Sequence, residues 1–405
     1  MFLENFSVPL YDTRHRGTAL PLQKGRNSSH ELHYTAKMKH ASTTQPHLTQ
    51  IVFSGLGGHT AVSMCLVREL RVQGIESSLL FHGVEPLLEQ TRLVCEAENI
   101  LFAYVPKRAG VDFYSIWALY RQLCDWRPTA VLSHGPNTGL SAFPYALLHS
   151  AKWLVRETHA NHLKGPKDFV ASFFGLLLAD HVILLTQEYR HELLSLFCNV
   201  GGKRARVIGN ALDLRLYYPS SYSSARSRRI RLGMVSRFTP IKDHKTLLQA
   251  IALLPTELQI NMDLLLAGQG GEKEALDNLC AELNIQGVVH FVGLLNEAEI
   301  ARFLRSLDLY VHATLGETMS NSLMQAMATG LAIVASDVPG VSNMFVHNQT
   351  ARLVPPNQPE QWAQALCDLI SDKDSRRKLG QAARLEAESR YSSQCQAAEY
   401  RGLLE

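Results

Sequence analysis

The stretch Gly316-Glu317-Thr318-Met319-Ser320-Asn321-Ser322-Leu323-Met324-Gln325-Ala326-Met327-Ala328-Thr329-Gly330 decides how the rest of the chain is read. Leu309-Tyr310-Val311-His312-Ala313 before it and Leu331-Ala332-Ile333-Val334-Ala335 after it are short apolar, β-prone runs, the second bounded by Gly330 and Asp337. The order is strand, helix, strand. Ser320 is placed to cap the helix. Leu323, Met324, Met327 and Ala328 then fall on one apolar face, and Asn321, Ser322 and Gln325 on the opposite face, directed away from the core. A helix starting at the C-terminal end of a parallel strand offers free N–H groups and the positive end of its dipole, which suit a phosphate or diphosphate. Glu317 lies just before that start. A carboxylate there either stabilises the dipole or accepts hydrogen bonds from hydroxyls of a neighbouring group such as a sugar, and the local run leaves both readings open.

Outward from this unit, 405 residues with 46% hydrophobic content suffice for two domains with separate cores. A net charge of +3 with dispersed Lys and Arg excludes a dedicated nucleic-acid binder. The seven cysteines (Cys65, Cys95, Cys124, Cys198, Cys280, Cys367 and Cys395) are too scattered for a zinc site or a disulfide framework and point to a reducing compartment. The longest apolar run, Phe169 to Ala179, is too short to span a bilayer and reads as a buried helix. No secretory leader is evident, so a cytoplasmic location is expected. Residues 1–48 lack periodicity, and between Tyr11 and His40 they carry six Lys/Arg against two Asp/Glu. They read as a poorly ordered arm: a solvated extension, a segment ahead of a natural start at Met38, or an arm in peripheral contact with an anionic membrane surface such as the inner face of the cell membrane.

Gln50 to Ser54 reads as a strand, Gly55-Leu56-Gly57-Gly58 as a tight turn and His59 onward as a helix. Strand and helix patterns then alternate: Ser77–Phe81, a helix near Pro86–Ala97, Leu101–Val105, a helix near Tyr114–Asp125, Ala130–Ser133 and Lys152–Arg156. Alternation of this kind predicts a doubly wound parallel sheet. His134 and His159 stand at or just past strand ends, where such sheets place chemistry, although most histidines in such places are structural. Ser220 to Arg229 is rich in Ser and Arg without apolar periodicity and reads as a linker. The predicted organisation is an arm over 1–48, a first domain over 49–217 joined by a C-terminal helix at 391–405, a linker over 218–229 and a second domain over 230–390. After the strand Ile230–Ser236, Arg237 and Lys242 lie on one βα loop. That suits a diphosphate, though ordinary surface charge would look the same.

Glu317, seven residues, then Gln325, followed by Ala326-Met327-Ala328-Thr329-Gly330 and Asp337-Val338-Pro339-Gly340, resembles the Glu-x7-Glu signature of family 4 (group 1) retaining glycosyltransferases of the GT-B fold. The resemblance runs from about residue 49 to the end and implies an α/β chain with two Rossmann-like domains facing a cleft. It implies that Glu317 binds hydroxyls of a donor sugar, that Gln325 replaces the family's ribose-binding Glu, and that amides near Ser320, Asn321 and Ser322 grip the diphosphate. It further implies that Arg237 and Lys242 bind that diphosphate, that Gly57 and Gly58 line the cleft, that loops after the strands ending at Gly268 and Gly293 hold the base, and that His159, with His162 as its rival, lies near the donor sugar. A last helix from Tyr391 crosses back onto the first domain.

The activity so implied is sugar transfer from a nucleoside-diphosphate sugar to a glycan or lipid-linked acceptor, with retention of configuration, in polysaccharide or lipopolysaccharide assembly. No metal and no other cofactor is expected, because cationic side chains and helix amides stand where a metal would stabilise the departing diphosphate. A nucleotide-sugar epimerase or a phosphorylase of the same plan is the neighbouring alternative. A non-catalytic GT-B partner subunit is the alternative from another class, motivated by Gln325, by Ala211 in place of a usual Gly and by Asn343 in place of a usual Glu.

Overall fold

The computed structural model describes residues 46–54, 58–110, 112–159, 161, 164–220 and 229–405. Gly57, His162, most of the arm and residues 221–228 of the linker lie outside them. The first half runs β1 (His47–Phe53), α1 (Gly58–Val72), β2 (Glu76–Gly83), α2 (Glu89–Ala97), β3 (Leu101–Pro106), α3 (Phe113–Trp126), β4 (Ala130–His134), α4 (Gly139–His149), β5 (Lys152–Arg156), α5 (Pro166–Leu178), β6 (His181–Leu184), α6 (Gln187–Leu196) and β7 (Ala205–Val207). Its strands are all parallel, in the order β3-β2-β1-β4-β5-β6-β7. β1 thus begins at His47, inside the stretch assigned to the arm.

The second half runs β8 (Ile230–Val235), α7 (His244–Ala252), α8 (Thr256–Gln259), β9 (Met262–Ala267), α9 (Lys273–Glu282), β10 (Val289–Gly293), α10 (Glu297–Arg305), β11 (Leu309–His312), α11 (Asn321–Ala328), β12 (Ala332–Ser336), β13 (Arg352–Val354), α12 (Pro359–Ser371), α13 (Lys373–Arg390) and α14 (Ser393–Leu404). The sheet order is β10-β9-β8-β11-β12-β13, again parallel. β11 and β12 are buried along their whole length, as continuous apolar strands covered by helices on both faces must be.

Each sheet reverses its winding once, between β1 and β4 in the first and between β8 and β11 in the second. Ligand crevices of doubly wound sheets open at the carboxyl ends of such strand pairs. Two chain crossings join the halves side by side. Leu212 N donates to Tyr391 O (2.9 Å) and Ser393 N to Leu212 O (3.2 Å), after which α14 returns to the first half. There Ala397 and Tyr400 pack with Leu48, Leu66 and Leu132, and Lys152 Nζ donates to the carbonyls of Leu403 and Leu404 at 3.0 and 3.1 Å.

The expectation of a buried helix at Phe169–Ala179 needs correction. α5 covers this run, but only one side of it is buried: Val170, Phe174, Leu177 and Leu178 are exposed while Ser172, Gly175 and Leu176 face the sheet. Outward and inward residues are both apolar here, so composition could not show which side faces the core.

Candidate active site

A cleft of about 830 Å³ lies between the two sheets, lined from both by the loops at the winding reversals. Arg237, Lys242, Gly268, Glu317, Ser320, Asn321, Ser322 and Gln325 line it from the second half and His159 from the first. Gly58 opens α1; Gly293 ends β10 and does not itself line the cleft, although Leu294 and Leu295 just after it do.

The second-half wall is built around Glu317. Its Oε1 accepts a hydrogen bond from Lys242 Nζ and lies 3.1 Å from His312 Nε2. Burial opposes ionisation of this carboxyl, but the His312 hydrogen bond and the Lys242 charge outweigh it and hold the pKa at about 2, against an ordinary 4.5. His312 is fully buried at the end of β11, and burial lowers its pKa despite the neighbouring carboxylate. Gly340, at φ +80°, fixes the backbone beneath: any Cβ there would collide with the Glu317 carbonyl oxygen. Gly268, at φ +141°, likewise leaves no room for a Cβ against Ser236 O, which brings the loop after β9 close to the loop after β8. Arg237 is exposed in the cleft, free to meet an anion.

Ser320 occupies the N-cap of α11, but its hydroxyl makes no cap hydrogen bond. It lies 3.4 Å from His312 Nε2 and 3.2 Å from Ser322 Oγ instead. The expected capping role is therefore corrected, and the first amides of α11 keep no side-chain acceptor from Ser320. The polar face of α11 turns toward the cleft and the first half rather than toward open solvent. Gln325 is only 7% exposed, and its Nε2 donates to Tyr217 Oη at 2.8 Å. Asn321 Oδ1 accepts from Asn210 Nδ2 at 2.7 Å, and Asn210 Oδ1 accepts from Arg156 Nη2 at 2.5 Å.

Arg156, at the end of β5, is 1% exposed and lines the cleft floor. His134 Nε2, at the end of β4, lies 3.1 Å from Gln50 Oε1 and 3.3 Å from Ser63 Oγ. His159 is exposed on the loop after β5; Tyr189 Oη donates to its carbonyl at 2.5 Å. Behind that loop, Glu157 and Lys164 form a buried ion pair at 2.9 Å. Sequence reading missed His312, Asn210, Tyr217 and Arg156. The one signal available was polarity at the ends of apolar strands, in Val311-His312 and Val155-Arg156. Among the described residues no group of three or more His, Cys, Asp or Glu is arranged to hold a metal ion. The Asp372-Lys373-Asp374 stretch lies away from the cleft lining, and Asp372 caps α13 by accepting from the amides of Asp374 and Ser375, each at 3.0 Å.

Residues 223–386 match the family model of glycosyl transferases group 1, and residues 56–216 match that of glycosyltransferase family 4. A D-inositol 3-phosphate glycosyltransferase of Corynebacterium efficiens is 27% identical over 255 residues, 58% of this chain and 60% of that protein. The chain thus spans about three-fifths of the length of this curated relative. Among solved structures, Anabaena HepE in complex with UDP and glucose is similar with a TM-score of 0.75 at 14% identity, over 89% of this chain and 99% of that one. Sucrose-phosphate synthase from Thermosynechococcus elongatus gives a TM-score of 0.73 at 18% identity, over 89% and 98%. At these identities the structural likeness speaks for the fold: two Rossmann-like parallel-sheet halves of GT-B type.

Proposed function

Because the chain belongs to the group 1, family 4 glycosyltransferases, we propose that it moves a sugar from a nucleoside-diphosphate sugar to a glycan or lipid-linked acceptor with retention of configuration, in polysaccharide or lipopolysaccharide assembly. The observation that carries this reading is the Lys242–Glu317–His312 cluster at the mouth of α11, at the winding reversal of the second sheet. In this reading the donor diphosphate lies against Arg237, Lys242 and the first amides of α11, and Glu317, held ionised, accepts hydrogen bonds from hydroxyls of the donor sugar. Anabaena HepE, one of the structural neighbours, was solved with UDP-glucose, which supports a nucleotide sugar as donor.

As the anomeric C–O bond to the diphosphate breaks, charge grows on the leaving oxygen, where Arg237, Lys242 and the helix amides stabilise it. The acceptor hydroxyl bonds to the anomeric carbon from the same face, and its proton passes to the departing phosphate oxygen. Fixed cations at the leaving group make a metal unnecessary in this mechanism. The test is an assay with UDP-, GDP- and ADP-sugars, following product anomers by NMR with and without EDTA. A retained anomer formed at equal rate under EDTA is expected. An inverted product, or activity lost to EDTA and restored by Mg²⁺ or Mn²⁺, would sink the mechanism.

Peripheral contact with a membrane surface belongs to the same reading. Among the described residues no helix is long and apolar enough to cross a membrane. The outer faces of α3, α4 and α5 nonetheless expose Trp117, Leu147, Leu148, Phe174 and Leu178, and α4 has no Asp, Glu, Lys or Arg. Co-sedimentation with anionic vesicles should fall severalfold in Leu147→Glu, and an unchanged bound fraction would count against this face.

A further inference from the structure

The two walls of the cleft differ in a way that bears on the acceptor. On the first-half wall, Lys107 and Arg156 are accompanied by His59, His82, His134 and His159, and no Asp or Glu among the described residues lines that wall. The acids nearby are engaged elsewhere. Glu157 pairs with Lys164, and Asp168 accepts from Asn137 Nδ2 at 3.2 Å and from Gly165 N at 3.0 Å. Glu297, on the second-half side, lies 3.7 Å from Arg68.

Arg156 carries the argument. A guanidinium that is 1% exposed would ordinarily be paired with a carboxylate, because an unpaired buried charge is costly. Here a neutral amide, Asn210, accepts from one Nη, and Nε is buried without a partner. His134 Nδ1 on the same wall is buried without a partner as well. The field is positive at both neighbouring imidazoles. Burial is the first cause of the lowered pKa of His59, about 4, and the charges of Arg156, His159 and Arg237 add to it. His134 is lowered by burial and then by Arg156 and His59. No carboxylate offsets either shift.

We infer that the first-half wall is a binding site for an anionic group of the acceptor, a phosphate or carboxylate, held by Lys107 on the rim and Arg156 on the floor. The inference deepens the glycosyltransferase reading by giving its acceptor a charge. Two cations on one wall select acceptors by charge-assisted hydrogen bonds and leave the hydroxyl that reacts to be positioned by His59, His134 and the amides around it.

The test is equilibrium binding of glycerol 3-phosphate, with glycerol as the uncharged control, to wild type, Lys107→Ala, Arg156→Gln and Arg237→Ala, each with and without saturating UDP, GDP or ADP. Glycerol 3-phosphate should bind wild type at least tenfold more tightly than glycerol does. Lys107→Ala and Arg156→Gln should each weaken it about tenfold, as loss of one charge-assisted contact does, whereas Arg237→Ala and the nucleotides should leave it in place. Lys107→Ala keeps the test decisive if Arg156→Gln fails to fold. Binding that a nucleoside diphosphate competes away, that Arg237→Ala abolishes and that Lys107→Ala leaves intact would put the anion on the donor side and overturn the inference, as would no binding at all. If no nucleoside diphosphate binds while the Lys107-dependent site persists, the donor reading fails and the anion site stands. Phosphatidylglycerol vesicles, against phosphatidylcholine, separate the two sources of the group: competition marks a lipid headgroup, and its absence a soluble acceptor.

Discussion

The two walls of the cleft come from sheets of the same topology, yet they hold their charges in opposite ways. On the second-half wall a cation, a carboxylate and a buried imidazole are already paired, in Lys242, Glu317 and His312. On the first-half wall Arg156 and Lys107 face the cleft without an acid. A wall with internal pairs is organised before its ligand arrives, and a ligand must displace or extend those pairs. A wall with unpaired buried charge is completed by the ligand itself. The fold supplies the two strand-end platforms, and the few side chains at each winding reversal decide what each platform receives.

The largest effects are expected at the cations of the second wall. Lys242→Ala and Arg237→Ala should each lower kcat/KM on the order of a hundredfold or more, as loss of preorganised charge at a leaving group does. Near-normal turnover in either variant would remove that residue from the site. Glu317→Gln should lower kcat about a hundredfold with a smaller change in KM, because misplacing a sugar by about 1 Å has that cost.

Glu317 also has a pH signature. Its folded-state pKa of about 2 lies below the ordinary 4.5, so the unfolded chain takes up this proton first as pH falls. The stabilisation is whole above pH 4.5 and is lost progressively down to pH 2. The stability advantage of wild type over Glu317→Gln, read from denaturation at each pH, should therefore shrink across that window, from a ceiling of ~3 kcal/mol. A difference independent of pH would mean that the carboxylate is not held ionised by its neighbours.

Gln325 gives the smallest effect. It donates to Tyr217 Oη at 2.8 Å, and a Glu in its place could accept from the same hydroxyl once the Tyr217 proton turned round. Gln325→Glu would then present a charged acceptor to a ribose, worth about fivefold in donor KM with kcat little changed. Conversion of an inert protein into an active one by this change would instead support the non-catalytic partner reading.

Much of this was legible in the sequence because it is local. Apolar strand runs alternating with amphipathic helices identify parallel sheets, and the spacing from Glu317 to Gln325 puts both on one helix entrance. The parts that were not legible are set by tertiary geometry. Ser320 has the right residue type and place for a cap, but a buried His312 and Ser322 compete for its hydroxyl. The Arg156–Asn210–Asn321 chain joins residues from β5, a domain crossing and α11, and no periodicity links positions so far apart. α5 is apolar on both sides, so which side is buried depends on where the sheet and its neighbours lie.

The central claim is that the second-half wall holds a nucleoside-diphosphate sugar, and thermal melting with UDP, GDP, ADP and their sugars, in wild type and in Lys242→Ala, tests it most directly. One nucleotide series should stabilise wild type by about 2.7 kcal/mol when present at a hundredfold its Kd, with the shift largely lost in Lys242→Ala. No stabilisation by any member of the panel, or an equal shift in both proteins, would contradict the account.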